Sequence, residues 1–219
     1  MATKVVIFGT GSFAELVHYY LSHDERYQVV AFCAHRDRLP AGAFCGLPVV
    51  AFEEVDHRYP AASHEMFVAV GYVKVNQVRA EIYQQAKAKG YSLLTYVSPH
   101  CVNMATSIGD NCFIFENNTL QPFVTIGNDV VLWSGNHIGH HSTIGDHCYI
   151  TSHVVISGHC KVGPYCFLGV NAALRDSITI AESCVIGAGA LIMKSTTPKQ
   201  VYLGERTKPF AKNSDEINL

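Results

Sequence analysis

The 219-residue chain is poor in charge: Asp, Glu, Lys and Arg make up only 16% of it, and the formal net charge is −2. It therefore lacks the excess of positive charge that nucleic acid or an anionic membrane surface would attract. It also contains no signal-peptide pattern and no apolar run of about 18 residues. We therefore expect no nucleic-acid partner, no membrane association and a cytoplasmic location.

Redox and zinc motifs of the C-x-x-C type are also missing, although eight cysteines are present. Five cysteines stand four residues after an aliphatic position of the repeat described next, where other repeats carry small or β-branched residues. These five are Cys112, Cys148, Cys160, Cys166 and Cys184. We interpret them as small buried hydrophobes rather than as metal ligands or redox groups.

The second half of the chain contains a strict repeat of six residues. Every sixth residue from Val102 to Ile192 is aliphatic, sixteen times in succession. This period fits neither an α-helix nor an ordinary strand, and it is typical of a solenoid in which each unit forms one side of a coil. Three units make one coil, so residues 18 apart should stack and the units give about five coils. Glycine often follows the aliphatic residue, which predicts a tight turn or a close backbone approach there.

Residues 1–98 alternate between strand and helix patterns instead. Apolar runs predict five strands, at residues 4–8, 28–32, 48–52, 66–70 and 91–97. Helical spacing predicts helices over residues 13–21 and 74–89. This alternation indicates a small doubly wound α/β domain with a parallel sheet.

The sequence therefore predicts three parts, and the change of pattern near residue 98 separates the first two. They are a Rossmann-like domain over 1–98, a parallel β-helix of hexapeptide repeats over 99–195 and a C-terminal tail over 196–219. Because no flexible Gly/Ser linker joins the first two parts, we expect them to pack together in a fixed orientation.

A glycine-rich turn, GTGSFA from Gly9 to Ala14, joins the first strand to the first helix. Its G-x-G-x-x-A spacing stands in the strand–turn–helix context that phosphate binding requires. The acidic residue that NAD binding needs at the end of the second strand is missing, since the tripeptide CAH starts there at Cys33. We interpret the turn as a phosphate site for a nucleotide other than a redox dinucleotide, with a purely structural turn as the alternative.

Six of the twelve histidines fall between residues 137 and 159. The run NHIGHH, residues 136–141, places three imidazoles close to one corner of a coil. Imidazoles there could act as a general base toward an amine or alcohol, or bind zinc shared between subunits, and the spacing leaves both possibilities open. We expect His147, His153 and His159 to occupy exposed corners without a function.

Three segments together carry a family resemblance: the GTGSFAE turn, the unbroken repeat, and NHIGHHSTIGDHCYI followed by KVGPYCFLGVNAALRD. The chain resembles the bacterial nucleotide-amino-sugar N-acyltransferases, which join a Rossmann-type domain to a left-handed β-helix. Within them it is most similar to enzymes that acetylate dTDP-4-amino-4,6-dideoxyglucose for O-antigen synthesis. The resemblance covers nearly the whole chain. It implies acetyl-CoA as cosubstrate, no metal, and a homotrimer with active sites between adjacent prisms.

The resemblance also implies roles for individual residues. His140 is the implied general base. His141 is the second implied catalytic residue, and it stands where relatives often carry an acid. Either the carboxylate that orients His140 therefore lies elsewhere, at Glu116 or Asp146 for example, or the amine needs less help from the base. The residues implied to contact the nucleotide sugar are Gly9, Thr10, Gly11, Ser12, Cys33, Ala34, Gly71, Tyr72, Asn136 and His137. The residues implied to contact coenzyme A are Gly158, Asn171, Gly187, Gly189, Lys194 and Lys208.

Other functions remain open from the sequence. An O-acetyltransferase acting on a sialic-acid-type hydroxyl would share the architecture and the base. A metal-dependent hydratase of the carbonic-anhydrase type would use the histidines but would leave the N-terminal domain without a role. A non-catalytic scaffold would explain neither the glycine turn nor the histidine run.

Overall fold

The N-terminal part of the structure, a computed structural model that describes residues 2–217, is a parallel sheet with strand order β3-β2-β1-β4. Its strands are β1 (Thr3–Phe8), β2 (Tyr27–Ala34), β3 (Val49–Ala51) and β4 (Glu65–Val68). The helices are α1 (Ser12–Ser22), α2 (Val55–Arg58) and α3 (Gln77–Ala88). Single 3₁₀ turns cover Arg36–Arg38, Phe52–Glu54 and Ser214–Glu216. Within residues 2–217, none of the helices is long and apolar enough to cross a membrane.

The two faces of this sheet are covered by different helices, because successive side chains of a strand point to opposite sides. Val5 and Ile7 of β1 pack with Val17 of α1. On the other face, Val6 packs with Ile82 of α3. The doubly wound α/β arrangement predicted from the sequence is therefore confirmed.

The fifth strand expected over residues 91–97 is wrong as a single element. Leu93 forms only an isolated bridge to Met66. Tyr96–Val97 instead pairs in parallel with Phe113–Ile114 of the β-helix. One apolar run thus serves two sheets, and the first strand of the β-helix begins before the boundary expected near residue 98.

The start of α3 also differs from the expectation of a helix from Lys74. Lys74, Val75 and Asn76 adopt positive φ angles of 51°, 51° and 66°. Three consecutive left-handed residues cannot continue a right-handed helix. The helix therefore begins at Gln77, and residues 74–76 form a separate turn before it.

Residues 96–202 form a three-sided parallel β-helix with one two-residue strand per repeat. Face I contains Tyr96–Val97, Phe113–Ile114, Val131–Leu132, Tyr149–Ile150, Phe167–Leu168, Val185–Ile186 and Val201–Tyr202. Face II contains Val102–Asn103, Thr119–Leu120, His137–Ile138, Val155–Ile156, Ala173–Leu174 and Leu191–Ile192. Face III contains Ser107–Ile108, Thr125–Ile126, Thr143–Ile144, Lys161–Val162 and Thr179–Ile180. The chain passes from face I to II to III, so we name the corners I/II, II/III and III/I.

The interior of the β-helix is one apolar core, built from the aliphatic position of each repeat from Ile108 onward and the small residue four positions later. Val102, the first residue of the series, points outward instead, because its strand is shifted by one residue and pairs Val102 with Thr119. The five repeat cysteines belong to this core and are fully buried: Cys112, Cys148, Cys160, Cys166 and Cys184. Burial raises the pKa of the Cys112 thiol to about 12. The interpretation of these cysteines as small hydrophobes is confirmed.

The turn at each corner lies three residues after the aliphatic position, rather than at the glycine that often follows it. The corner residues have φ between 53° and 78°: Asn111, Asn117, Phe123, Asp129, Gly135, His141, His147, His153, His159, Tyr165, Asn171, Ser177, Ser183 and Gly189. The glycine instead permits close contact between coils. A Cβ on Gly163 would lie 2.8 Å from the backbone nitrogen of Glu182 in the next coil. The glycines that directly follow the aliphatic residues therefore allow neighbouring coils to approach closely and do not form the turns.

The N-terminal domain packs on face I of the β-helix. The Phe13 ring, at the start of α1, lies 6.2–6.3 Å from the rings of Phe113, Trp133 and Tyr149. At corner I/II, Tyr20 Oη of α1 donates a hydrogen bond to Glu116 Oε2 at 2.8 Å. These contacts tie the two domains together along one face of the prism.

Corner III/I holds the other side of this interface, through the fully buried Arg79 of α3. Arg79 Nε donates to Asp129 Oδ1 at 3.0 Å, and Nη2 donates to the carbonyl oxygens of Asp129 and His147. His147 Nδ1 in turn lies 2.8 Å from Asp129 Oδ2. The expectation that His147 is exposed is therefore wrong, because the N-terminal domain covers this corner.

Candidate active site

A cleft of about 750 Å³ opens at the carboxyl ends of β1, β2 and β4. Ligands of open α/β sheets bind at this edge, where the loops after the strands diverge. The cleft brings together six residues predicted to contact a nucleotide sugar: Gly9, Thr10, Gly11, Ser12, Ala34 and Gly71. Residues separated by more than sixty positions in the sequence thus share one wall.

The glycine turn has the geometry that an anion site needs. Gly9 has φ of 122°, and a Cβ there would lie 2.7 Å from the carbonyl oxygen of Ala69, so only glycine fits. Gly11 is the N-cap of α1 and provides no side-chain cap. The unpaired N–H groups of the first turn of α1 therefore remain available to an anion in the cleft.

The cleft also contains two cations that were not identified from the sequence. Arg38 and Lys74 are exposed and line its rim, together with the acidic residues Asp37 and Glu81. Arg38 ends the 3₁₀ turn that follows β2, and Lys74 begins the turn between β4 and α3. Their position a few residues after these strands is the signal from which they could have been predicted. They add positive charge beside the helix N-terminus.

Two residues predicted for the nucleotide-sugar site do not line this cleft. Cys33 is fully buried in the core on the α3 side of the sheet, and burial raises the pKa of its thiol. Its neighbour Ala34 lines the cleft instead. The Tyr72 ring packs on face I, 5.1 Å from the ring of Tyr149 and 4.8 Å from that of Phe167. The prediction for Cys33 is therefore wrong. Tyr72 lies outside the cleft but is 55% exposed, and its contact with substrate stays a prediction.

Corner II/III carries a cluster of three exposed imidazoles. His140 Nδ1 lies 3.0 Å from His141 Nδ1, and the backbone nitrogen of His140 donates to Gln121 Oε1 at 2.9 Å. The rings of His141 and His159, one coil apart, stack with centroids 4.8 Å apart and planes at 13°. The 18-residue stacking predicted from the repeat is confirmed here.

Gly158 leaves space for the His140 ring, since a Cβ on Gly158 would lie 2.9 Å from His140 Nε2. The carboxylates suggested to orient His140 are engaged elsewhere. Glu116 accepts hydrogen bonds from Tyr20 and Ser134, and Asp146 Oδ1 accepts one from the backbone nitrogen of Asn128. Within one chain, neither Glu116 nor Asp146 orients His140, so that prediction is wrong. The side chain that contacts the His140 imidazole nitrogen is His141.

Asn136, predicted to contact the sugar, is a structural residue. It is 1% exposed. Its Nδ2 donates to the carbonyl oxygen of Trp133, and its Oδ1 accepts from the backbone nitrogen of Val154 at 2.7 Å. The prediction for Asn136 is therefore wrong. His137 is half-buried on face II, three residues before His140, and its contact with substrate stays a prediction.

The residues predicted to contact coenzyme A are divided between separate places in one chain. Gly158 lies beside His140 at corner II/III. Asn171, Gly187 and Gly189 lie at corner I/II, after strands of face I. Lys194 follows the last strand of face II, and Lys208 lies in the exposed tail. One chain alone does not bring these residues together.

The cleft and the histidine cluster lie on different sides of the molecule. The N-terminal domain covers face I and contacts both corners that flank it. Corner II/III is the corner of a three-sided prism that lies opposite face I. The thickness of the β-helix therefore separates the two candidate sites within one chain.

The two domains match two family models. Residues 4–86 match the PglD N-terminal domain, and residues 105–138 and 123–158 match the bacterial transferase hexapeptide repeat. No curated protein matches the sequence.

Solved structures share the complete architecture. The acetyltransferase domain of PglB from Neisseria gonorrhoeae FA1090, in complex with acetyl coenzyme A, is 21% identical, with a TM-score of 0.80, over 96% of this chain and 100% of that chain. A histidine-to-asparagine variant of perosamine N-acetyltransferase from Caulobacter crescentus, in complex with CoA and GDP-perosamine, is 23% identical, with a TM-score of 0.82, over 93% of this chain and 95% of that chain. WeeI from Acinetobacter baumannii AYE is 19% identical, with a TM-score of 0.74, over 90% of this chain and 94% of that chain.

These likenesses show the fold, a Rossmann-like domain followed by a left-handed parallel β-helix. The predicted fold is therefore confirmed, including its handedness. The family matches together cover more than half of the sequence. The chain thus consists of a PglD-type N-terminal domain followed by bacterial transferase hexapeptide repeats.

Proposed function

We propose that this protein transfers the acetyl group of acetyl-CoA to the 4-amino group of a nucleotide-linked 4-amino-4,6-dideoxy sugar. The best candidate for the acceptor is dTDP-4-amino-4,6-dideoxyglucose, as a step toward O-antigen or another surface glycan in the cytoplasm. The observation that carries the proposal is the combination of an anion-binding cleft with an exposed imidazole cluster on a hexapeptide β-helix. Structures of the same fold in complex with acetyl coenzyme A or GDP-perosamine support it.

The nucleotide sugar occupies the cleft of the N-terminal domain in this proposal. Its diphosphate lies against the first turn of α1, where free N–H groups and the helix dipole favour negative charge. Arg38 and Lys74 supply opposite charge at the rim. The absence of an acid after β2 argues against a redox dinucleotide in the same place.

His140 is the proposed general base. With a proton on Nδ1 donated to His141, its Nε2 keeps the lone pair that accepts a proton from the attacking amine. The amine nitrogen attacks the thioester carbonyl and forms a tetrahedral oxyanion. One preorganised backbone N–H donor to that oxyanion would contribute roughly 3–4 kcal/mol. Collapse of the oxyanion breaks the C–S bond, and the imidazolium returns its proton to the coenzyme A thiolate.

Assembly into a homotrimer would bring the cleft of one chain to the histidine cluster of another. The cleft and His140 lie on opposite sides of one prism, so substrate in the cleft of one chain must meet the imidazole of another. Gly158 and the corner I/II residues proposed for coenzyme A would likewise come from two chains. Face II supports self-association because its outward residues Val102, Val155 and Leu191 are 45–66% exposed.

The first experiment measures coenzyme A release from acetyl-CoA with dTDP-4-amino-4,6-dideoxyglucose, beside the UDP- and GDP-linked 4-amino sugars. Release that requires a 4-amino acceptor is the expected result, and the fastest acceptor identifies the nucleotide. Release only with a sialic-acid-type hydroxyl acceptor would contradict N-acetylation in favour of O-acetylation.

The second experiment tests the base with His140→Ala. We expect a rate loss of roughly 10²–10⁴-fold, the usual contribution of a general base. His153→Ala is the matched control, because His153 is also an exposed corner histidine but belongs to corner I/II. A loss below tenfold in His140→Ala would remove His140 from the mechanism.

A further inference from the structure

We infer that His140, His141 and His159 form a zinc-type metal site, and that metal bound there blocks the acetyl transfer proposed above. The binding part of this inference stands on geometry alone. The inhibitory part rests on the proposed function, because it requires His140 to act as the base. The site is built from one chain and serves inhibition rather than chemistry.

The three imidazoles are already close enough to share one ion. One ligand nitrogen from each residue lies within 4.8 Å of the other two, and the Nδ1 atoms of His140 and His141 are 3.0 Å apart. Zinc–nitrogen bonds of about 2.0–2.1 Å in a tetrahedral site place ligand nitrogens roughly 3.4 Å from one another. Small side-chain rotations of exposed residues therefore suffice to complete the site.

The fold itself produces this cluster. His141 and His159 occupy equivalent left-handed corner positions 18 residues apart, so the β-helix stacks their rings. His140 reaches the same point because Gly158 has no side chain. The backbone of two paired coils thus fixes all three Cα positions. Metal binding therefore has to order only the three side chains.

The donor set indicates the class of metal. Three neutral imidazoles suit zinc and its borderline neighbours such as nickel and cobalt, whereas magnesium and calcium require oxygen ligands. Among residues 2–217, the histidine–carboxylate ion pairs involve His35 and His147 instead of this cluster. The exposed position leaves a fourth coordination site to water.

Metal bound to His140 Nδ1 would leave the ring proton on Nε2, so Nε2 would lose the lone pair that the proposed reaction needs. His159 has no part in the proposed chemistry, since it stacks on His141 from the next coil. Replacement of His159 should therefore separate metal binding from catalysis. Asparagine is the suitable substitute, because Asn171 and Asn117 occupy the same left-handed corner position with φ of 59°.

The binding experiment titrates zinc chloride into the metal-free full-length protein by calorimetry, in a Cys45→Ser background that removes the exposed thiol. We expect one zinc ion per chain, with affinity reduced at least tenfold in His159→Asn. His153→Asn, the same change at an exposed corner of the same conformation, should bind zinc like the parent. Equal affinity in the parent and His159→Asn, or no zinc binding by the parent, would overturn the site.

The activity experiment follows acetylated product by chromatography, because the coenzyme A thiol itself binds zinc. Zinc should inhibit the parent and His153→Asn, and EDTA should restore activity. His159→Asn should keep its basal activity and require at least tenfold more zinc for inhibition. Unchanged inhibition of His159→Asn would refute the blocking role. Zinc binding without acetyl transfer to any acceptor would refute the proposed function and leave the metal site standing.

Discussion

Arg79 joins the two domains through a guanidinium that has no contact with solvent. Replacing it with Met would leave the buried Asp129 carboxylate without the guanidinium that it pairs with. Breaking a buried ion pair from one side usually costs about 3–5 kcal/mol, so we expect Arg79→Met to lower the free energy of unfolding in urea by that amount.

Arg175→Met is the matched control for this loss, since the Arg175 side chain is 53% exposed. It should change the free energy of unfolding by no more than about 0.5 kcal/mol. The double variant Arg79→Met, Asp129→Asn should lose less than the two single variants together, because it leaves no unpaired carboxylate. A loss below about 1 kcal/mol in Arg79→Met would contradict the importance of this contact.

The lowered pKa of Glu116 predicts that the stability of the protein depends on pH. Burial alone would raise this pKa, but the hydrogen bonds from Ser134, the backbone and Tyr20, together with the nearby His100, outweigh burial and hold the pKa below its usual value. Burial and the hydrogen bond to Glu116 together raise the pKa of Tyr20 to about 12. A depressed carboxyl pKa stabilises the folded state above the unfolded value of about 4.3, and this stabilisation is lost as the pH falls through the folded pKa.

The free energy of unfolding of Glu116→Gln should therefore fall less steeply than that of the parent protein below about pH 4.3. Urea titrations at several acidic pH values measure this slope. Glu25→Gln, at an exposed carboxylate, is the control and should keep the parent's slope. Identical slopes in the parent and Glu116→Gln would show that this carboxylate is not linked to folding.

At the scale of the elements, the left-handed corner residue determines how each coil turns. Asn117 adopts φ of 59° and is exposed, so its side chain can be changed with little loss of packing. A residue with a Cβ and no local hydrogen bond pays roughly 1–2 kcal/mol for this conformation. We expect Asn117→Ala to lower the free energy of unfolding by about that amount and Asn117→Gly to preserve it. Equal stabilities of the two variants would mean that the corner can relax without strain.

At the scale of the whole molecule, the proposed active site requires two chains, which complementation can test. One variant, Arg38→Glu with Lys74→Glu, removes the positive charge of the cleft, and the other, His140→Ala, removes the base. Each should be inactive alone. Random co-assembly in equal amounts should restore about a quarter of the parent activity, because a quarter of the interfaces combine an intact cleft with an intact histidine. No recovery in mixed trimers would show that each site belongs to one chain.

The sequence determined the β-helix and its core, because the hexapeptide period is a local property that each coil repeats. It also located the glycine turn, since strand, turn and helix are neighbours in the chain. The stacking of His141 on His159 followed from the same period, with no knowledge of the second domain. These features depend on short segments and on the spacing between them.

Only the tertiary structure decided which corner of the prism is buried and which is free. His147 and His159 occupy equivalent repeat positions, yet one is buried beside Arg79 and the other is exposed. The difference arises because the N-terminal domain packs on face I, and that contact depends on residues far apart in the chain, such as Arg79 and Asp129, which are 50 positions apart. Tertiary contacts within the N-terminal domain likewise decided the burial of Cys33 and the position of Arg38 in the cleft. The packing on face I decided the separation of the cleft from the imidazoles. The hexapeptide period carries no information on any of these contacts.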